Sequence, residues 1–237
     1  MEKKLDKILD VSHWQGEIDF QKVADSGIVA VILKCDEGNG IIDKNYLTNL
    51  DKALKAGLMV GAYHFIRKDG ITEAKTFIKN IHQDNLKNII LNLDFEVAIP
   101  ISECEDFVNE IEEFTGKFPL FYINESGLNS GEISEDSILK KCPLWIARYG
   151  KDPVVPKELW DTWTIWQWTE NGTCPGIKTA CDRDCFNGSD VDQIKEFWNY
   201  PVPAVAIDGV TNEVETEPKE ATVGSNQSDE NELQEKI

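Results

Sequence analysis

Two carboxylates at the end of an apolar run are the residues whose types and spacing most clearly indicate chemistry. Residues 88–96 read NIILNLDFE, which predicts a buried strand. Because side chains alternate along a strand, Asp94 and Glu96 should share one face, with their Cα atoms roughly 6.5–7 Å apart. Burying two like charges is unfavourable, and such a pair can supply the chemistry of glycoside hydrolysis. The alternative is a solvated strand end that begins a loop.

An alternation of strands and helices over the first 125 residues must position this pair. Apolar runs predict strands at 8–12, 28–34, 58–65, 88–93 and 118–123. Amphipathic segments predict helices over 19–26, 43–56 and 72–82, and another that begins at a capping box of Ser102 and Glu105. Gly27, Gly57 and Gly116 each stand between a helix and the next strand, where a left-handed residue is expected.

The regular alternation of strands and helices ends at Asn124. Three further strands are predicted after it, at 144–149, 163–168 and 180–186. Eight strands suit barrel closure. The fold class is therefore α/β, an irregular eight-stranded (β/α) barrel whose first five strands are joined by helices and whose last three have few or short helices. An open doubly wound sheet is the alternative, disfavoured because no Gly-x-Gly-x-x-Gly loop is present. Residues 193–198 predict a closing helix, so 1–200 form the barrel, and 201–237 read as an acidic disordered tail or linker.

Composition narrows the function classes. The 237 residues carry a net charge of −19, which argues against nucleic-acid binding. There is no run of about 18 apolar residues to span a membrane, and no signal-peptide pattern at the start. We expect a monomer without a cofactor or metal. Three of the six cysteines cluster near the end of the barrel, and a disulfide between Cys174 and Cys181 would require an oxidising compartment.

The ends of the predicted strands hold the candidate site residues, because a barrel of this kind builds its active site there. They form a ring of carboxylates with aromatic residues between them, which indicates a carbohydrate cleft. His64 is expected to be a hydrogen-bonded core histidine, with Phe65 and Trp163 also in the core. The ring consists of Asp10, Glu37, Tyr63, Asp94, Glu96, Tyr122, Trp145, Tyr149, Gln167, Trp168, Asp182 and Asp184.

Most of these residues stand in seven motifs that carry a family resemblance. In order they are Asp10-Val11-Ser12-x-x-Gln15-Gly16, Lys34-x-x-Glu37-Gly38, Gly61-Ala62-Tyr63-His64-Phe65, Leu93-Asp94-x-Glu96, Leu144-Trp145-Ile146-Ala147-x-Tyr149, Trp166-Gln167 and Asp182-x-Asp184-x-Phe186-Asn187-Gly188. Over residues 7–198 the chain resembles the glycoside hydrolase family 25 lysozymes, the Chalaropsis-type N-acetylmuramidases. Seven motifs in the family's order make the resemblance specific.

The resemblance implies hydrolysis of the β-1,4 bond from N-acetylmuramic acid to N-acetylglucosamine in bacterial peptidoglycan. Glu96 would be the general acid, Asp94 its carboxylate neighbour, and Asp10 and Asp182 the rest of the acidic floor. Asp184 on the same strand competes with Asp182 for its position. The resemblance also implies a retaining reaction, in which either a protein carboxylate or the substrate's own acetamido group attacks the anomeric carbon. The substrate would be bound by Tyr63, Tyr122, Trp145, Tyr149, Gln167 and Glu37.

Two other functions use the same carboxylates. A non-catalytic glycan-binding barrel is disfavoured because Asp10, Asp94 and Glu96 are all present. A divalent-metal phosphoesterase would need only carboxylates and water around a Mg²⁺ ion.

The resembling enzymes act on the cell wall, so we expect action outside the membrane. A phage endolysin held in the cytoplasm until lysis would fit, as would a bacterial enzyme with an unusual export route.

Overall fold

The computed structural model describes residues 4–81 and 89–198, and these form an α/β barrel. The strands are β1 (Lys4–Val11), β2 (Ala30–Glu37), β3 (Ile41–Ile42), β4 (Met59–Phe65), β5 (Ile89–Phe95), β6 (Leu120–Asn124), β7 (Leu144–Ala147), β8 (Ile165–Gly172) and β9 (Cys181–Asn187). The helices are α1 (Phe20–Asp25), α2 (Tyr46–Lys55), α3 (Gly70–Asn80), α4 (Ile101–Thr115), α5 (Glu125–Leu128) and α6 (Val191–Trp198). None of the helices in these residues is long and apolar enough to cross a membrane.

Eight of these strands close into the barrel. Their order is β1-β9-β8-β7-β6-β5-β4-β2, and β2 pairs with β1 to complete the circle. All neighbours are parallel except β9, which runs antiparallel to both β1 and β8. The predicted irregular eight-stranded barrel is confirmed. The two-residue β3 was not predicted, and it forms a hairpin with the end of β2.

Apolar side chains fill the barrel at the amino-terminal ends of its parallel strands. Ile8, Ala30 and Leu120 are buried there. Helix α6 closes this end, because Ile194 and Trp198 pack into the same cluster, and the Trp198 indole Nε1 donates to the Val60 carbonyl at 3.0 Å. With one end closed in this way, polar side chains are left to gather at the opposite end of the barrel.

One of the two predictions for the ends of α4 is confirmed and the other is wrong. Gly116 ends α4 in the left-handed conformation, with φ of 70°. The predicted capping box is wrong, because α4 already begins at Ile101, after Pro100, and has no side-chain cap. Ser102 and Glu105 lie inside the helix, and Glu105 instead accepts a hydrogen bond from the Ser137 hydroxyl at 2.6 Å.

Strand pairing accounts for the differences in element boundaries. β1 begins four residues before the predicted Ile8, since Lys4 pairs with Asn187 of β9.

The six cysteines are all free and buried, so the disulfide suggested between Cys174 and Cys181 is not formed. The predictions for His82, Asn88 and the tail at 201–237 lie outside the described residues.

A charged cluster lies between the barrel and its helices, away from the barrel interior. His64, Asp36 and Glu73 are all fully buried. The His64 Nδ1 lies 2.7 Å from Asp36 Oδ1, and its Nε2 lies 2.9 Å from Glu73 Oε2. Burial alone would lower the pKa of His64, but its bonds to the two carboxylates raise it. Both ring nitrogens therefore act as donors, as in imidazolium, which confirms His64 as a hydrogen-bonded core histidine.

Replacing His64 with Gln should destabilise the fold by about 3–5 kcal/mol, because it leaves buried carboxylates without their cation. Urea unfolding near pH 6 measures this change, where the imidazolium is present in the wild type. Lys55→Ala, which removes an exposed partner of Asp51, is the control and should change little. A His64→Gln variant as stable as the wild type would contradict the assignment.

Candidate active site

A polar cavity of about 190 Å³ opens at the carboxyl ends of the parallel strands. Nine of the ten residues to which the resemblance assigns a role line it, Glu37 being the exception. The other two members of the predicted ring, Trp168 and Asp184, do not line it. A larger cavity of about 470 Å³ at the closed end of the barrel is mainly apolar and contains none of them. The polar cavity is lined by Asp10, Tyr63, Asp94, Glu96, Tyr122, Trp145, Tyr149, Gln167, Glu170 and Asp182.

Strand register brings these side chains together from distant parts of the chain. Asp10 in β1 lies opposite Asp182 in β9, and Asp94 in β5 lies beside Tyr122 in β6. Tyr122 lies beside Trp145 in β7, and their rings meet edge-on with centroids 4.7 Å apart. Two groups of carboxyls therefore face the cavity, with an aromatic wall between them.

Gln167 links this wall to Asp10. The hydroxyls of Tyr122 and Tyr149 both donate to Gln167 Oε1, at 2.9 and 3.0 Å. Gln167 Nε2 in turn donates to Asp10 Oδ2 at 2.8 Å. Because two hydroxyls share the amide oxygen, the amide nitrogen is fixed towards the carboxyl group. The network holds Asp10 in one orientation before any substrate binds.

The carboxyl pair predicted from the sequence is split between a buried and an exposed member. Asp94 is 6% exposed, whereas Glu96 is exposed at the cavity mouth. Burial and the charge of Glu96 raise the pKa of Asp94 well above its ordinary value. Burial raises the pKa of Glu96 as well, opposed by a hydrogen bond with Asp94 and by the charge of Lys34. Burial and the repulsion between the two carboxylates disfavour ionisation of both, so the pair holds a proton where isolated carboxyls would be ionised.

Asp10 is surrounded by a second group of carboxyls, contributed by β9. Burial, followed by the charge of Asp184, raises the pKa of Asp10 well above its ordinary value, and Trp145 Nε1 donates to Asp184 Oδ1 at 2.8 Å. Burial and a neighbouring carboxylate raise the pKa of Asp182 to about 9 and that of Asp184 to about 8. Asp182 lines the cavity, whereas Asp184 is fully buried behind it.

The tyrosines act as neutral donors in this acidic surrounding. Burial, followed by nearby carboxylates, raises the pKa of Tyr63 and of Tyr122, so both phenols keep their protons. The cavity therefore offers carboxylic acids, carboxylates and hydroxyls. Such a set can protonate a leaving oxygen and stabilise positive charge on a sugar ring. Among the described residues, no three His, Cys, Asp or Glu side chains are grouped to hold a metal ion.

Glu37 lies outside this cavity. It is held by an ion pair with Lys34 and another with Arg67, the latter at 3.1 Å. Burial opposes ionisation of Glu37, but hydrogen bonds and charge from these two cations lower its pKa. The side chain lines a neighbouring cavity instead, where it is paired with these two cations.

Glu170 was missed by the sequence analysis because strand alternation fails there. Strict alternation from Gln167 would place Thr169, not Glu170, on the cavity side. The pairing of β8 with β9 shifts register between Gln167 and Thr169, and this bulge lets Glu170 reach the cavity. Its charge acts on Glu96 and Asp182 and raises the pKa of each. No signal in the sequence marks the bulge.

Comparisons with known proteins identify the family. A family model described as glycosyl hydrolases family 25 matches residues 9–177. Lysozyme M1 of Streptomyces globisporus is 30% identical over 199 residues, which cover 76% of this chain and 67% of that protein. The autolytic lysozyme of Clostridium acetobutylicum is 31% identical over 191 residues, 76% of this chain and 56% of that protein. The crystal structure of a bacterial lysozyme from Streptomyces coelicolor has a TM-score of 0.71 and 28% identity, covering 84% of this chain and 98% of that chain.

The chain belongs to glycosyl hydrolases family 25. The resemblance predicted from the seven motifs is confirmed, and so is the barrel fold. The protein is a glycoside hydrolase of the lysozyme type, which acts on peptidoglycan. Family membership favours this reaction over the phosphoesterase and the non-catalytic barrel. The chain spans 67% and 56% of the lengths of the two relatives.

Asp184→Asn should flatten the dependence of stability on pH. In the unfolded chain Asp184 loses its proton near the ordinary value of about 3.9, whereas the folded protein retains it up to about 8. Wild-type stability therefore falls as pH rises through this window. The Asn variant lacks this loss, so its unfolding midpoint at pH 8 should be about 5 °C above that of the wild type.

Thermal unfolding from pH 4 to 9 measures this effect. The control is Asp161→Asn. Asp161 is exposed and belongs to neither of the two carboxyl clusters around the cavity, so the stability of this variant should depend on pH as that of the wild type does. A curve for Asp184→Asn that parallels the wild type would show that Asp184 is ionised in the folded protein, against this account.

Proposed function

We propose that this family 25 lysozyme cleaves the β-1,4 bond from N-acetylmuramic acid to N-acetylglucosamine, with Glu96 as the general acid. One observation supports the proposal above all. The carboxyls of Asp94 and Glu96 share a cavity with those of Asp10 and Asp182, where burial and mutual repulsion keep protons on some of them near neutral pH. An acid catalyst must be protonated at the working pH.

Exposure distinguishes the roles of Glu96 and Asp94. A general acid must come within hydrogen-bond reach of the leaving oxygen. Glu96 is exposed at the mouth, where a glycan strand can contact it, whereas Asp94 is 6% exposed. Glu96 is therefore the proton donor in this proposal, and Asp94 supports it from within the barrel.

Substrate binding would load the proton onto Glu96. In the free enzyme, burial and the charge of Glu96 favour protonated Asp94. A bound glycan would cover Glu96 and remove it from water, which raises its pKa further. The proton would then pass along the hydrogen bond from Asp94 to Glu96, leaving Asp94 as a carboxylate. Glu96 would donate that proton to the glycosidic oxygen as the bond to the anomeric carbon breaks and a bond forms from that carbon to a protein carboxylate or to the substrate's acetamido oxygen. Water would then displace this bond, giving its proton to Glu96 and its hydroxyl to the anomeric carbon.

The carboxyls of Asp10 and Asp182 would act on the positive charge that develops at the sugar ring. Both line the cavity, and Gln167 orients Asp10 through the bond at 2.8 Å. Preorganised negative charge of this kind stabilises an oxocarbenium-like transition state. The phenols of Tyr63 and Tyr122, which stay protonated, would hydrogen-bond to sugar oxygens. All of these groups lie in one barrel, so a monomer suffices.

Glu96→Gln should fold normally and lose on the order of 10²–10⁴ in hydrolysis rate, the usual share of general acid catalysis. The amide keeps the size and polarity of the side chain but has no acidic proton. The measurement follows release of reducing ends from purified peptidoglycan and identifies the new end, which should be N-acetylmuramic acid.

Glu158→Gln serves as the matched control, since Glu158 is exposed and lies outside the cavity. It should hydrolyse peptidoglycan at the wild-type rate. Near-wild-type lysis by Glu96→Gln would exclude Glu96 as the acid, and N-acetylglucosamine or a peptide terminus at the new end would refute the bond assignment.

A further inference from the structure

Trp14 is the most exposed large apolar side chain in the described residues, at 76%. It lies in the 3₁₀ turn His13–Gln15 that follows β1. Ser12 Oγ accepts from the Trp14 backbone N–H at 3.2 Å, and Gln15 Oε1 accepts from the Ser12 N–H at 2.9 Å. The turn that carries the indole is thus fixed at both ends, although the indole itself is largely in water.

A buried carboxylate fixes the neighbouring ring as well. Asp43 is 6% exposed, and its Oδ2 accepts from the His13 backbone N–H at 2.8 Å and lies 2.7 Å from His13 Nδ1. The imidazole contacts the Trp14 indole, with ring centroids 4.8 Å apart. The fold therefore holds the imidazole in place and presents the Trp14 indole beside it, on a turn whose backbone is fixed. Rigid, exposed aromatic side chains are typical of binding sites, because they lose little conformational entropy when a ligand covers them.

A second cavity, here called the side cavity, lies against His13. Its volume is about 240 Å³. His13 and the β3 residues Ile41 and Ile42 provide its apolar surface, and the two isoleucines are 65% and 52% exposed. Its polar groups are those of Lys34, Glu37, Asp43 and Lys44.

The side cavity adjoins the active site through Lys34. Lys34 lines the side cavity and pairs there with Glu37. Lys34 also lies beside Tyr63 in the register of β2 with β4, and Tyr63 lines the active-site cavity. Lys34 therefore lies between the two cavities, and Trp14 borders the side cavity through its contact with His13.

We propose that the side cavity and Trp14 form a remote subsite, which binds a pyranose ring of the glycan strand away from the bond being cleaved. The inference rests on the proposed function. The flat C–H face of a pyranose fits the apolar surface of the indole and the two isoleucines. Sugar hydroxyl and acetamido groups can bond to Lys34, Glu37 and Lys44, which supply both donors and acceptors.

A remote subsite predicts that Trp14 matters only for long substrates. The test compares Trp14→Ala with the wild type on peptide-free glycan strands of several repeats and on a tetrasaccharide of two repeats. On long strands kcat/KM should fall about tenfold, mainly through KM, as expected for loss of one well-placed aromatic contact. On the tetrasaccharide kcat/KM should stay within about twofold, and Trp14→Tyr should retain most of the long-strand activity.

Leu47→Ala is the matched control, since Leu47 is 56% exposed and lines neither cavity. It should behave as the wild type on both substrates. The inference is overturned if the kcat/KM of Trp14→Ala on long strands equals that of the wild type. It is also overturned if kcat/KM falls by the same factor on long strands and on the tetrasaccharide. A loss seen only with peptide-bearing strands would also overturn it, since the occupant would then be the stem peptide. Failure of the wild type to cleave either substrate would instead refute the proposed function.

Discussion

The crowding of carboxyl groups in the mouth of a closed barrel is the constraint on which the rest of the structure depends. Asp10, Asp94 and Asp184 are buried, and Asp182 and Glu96 lie beside them. Like charges at this density and burial cannot all be ionised, so some of the groups retain protons. Repulsion among these carboxylates opposes folding at high pH. It also keeps a carboxyl group of the cavity protonated near neutral pH.

The barrel also holds buried carboxylates that do no chemistry in this account, and the contrast is informative. Asp36 and Glu73 are as deeply buried as Asp184, but His64 lies between them and bonds to both. A cation in contact with both carboxylates offsets their charge. In the active site, Lys34 is the cation that acts on Asp94 and Glu96, and it also pairs with Glu37. Incomplete neutralisation thus distinguishes the reactive cluster from the structural one.

Most of the fold was predictable, because it follows from apolar periodicity. Parallel strands buried on both faces read as continuous apolar runs, and the residues that end such strands meet at one end of a barrel. Asp94, Tyr122 and Gln167 could therefore be placed together before the structure was known. The positions of two side chains could not be predicted, because a local interaction overrides the pattern there. The bulge in β8 brings Glu170 into the cavity, and the cations beside Glu37 hold it outside.

The sequence also could not show how deep each carboxyl of β9 lies within the barrel. Asp182 and Asp184 alternate onto the same face of β9, so spacing alone could not decide which one lines the cavity. The register with β1 decides it, since Asp182 pairs with Asp10 whereas Asp184 pairs with Ile8, one step towards the closed end. Trp145 then donates to Asp184 from β7, a contact between residues 39 positions apart in the chain.

The protonation state of the Asp94–Glu96 pair is the most direct test of the central claim. Carboxyl-carbon NMR of protein labelled in Asp and Glu side chains, titrated from pH 3 to 9, reports each proton as it is lost. Comparison with Asp94→Asn and Glu96→Gln spectra assigns the two signals. The account predicts that the pair keeps a proton well above the pH at which isolated carboxyls ionise, and that Glu96→Gln lowers the pKa of Asp94 by removing a neighbouring charge. Ionisation of both carboxyls below pH 5 would contradict it.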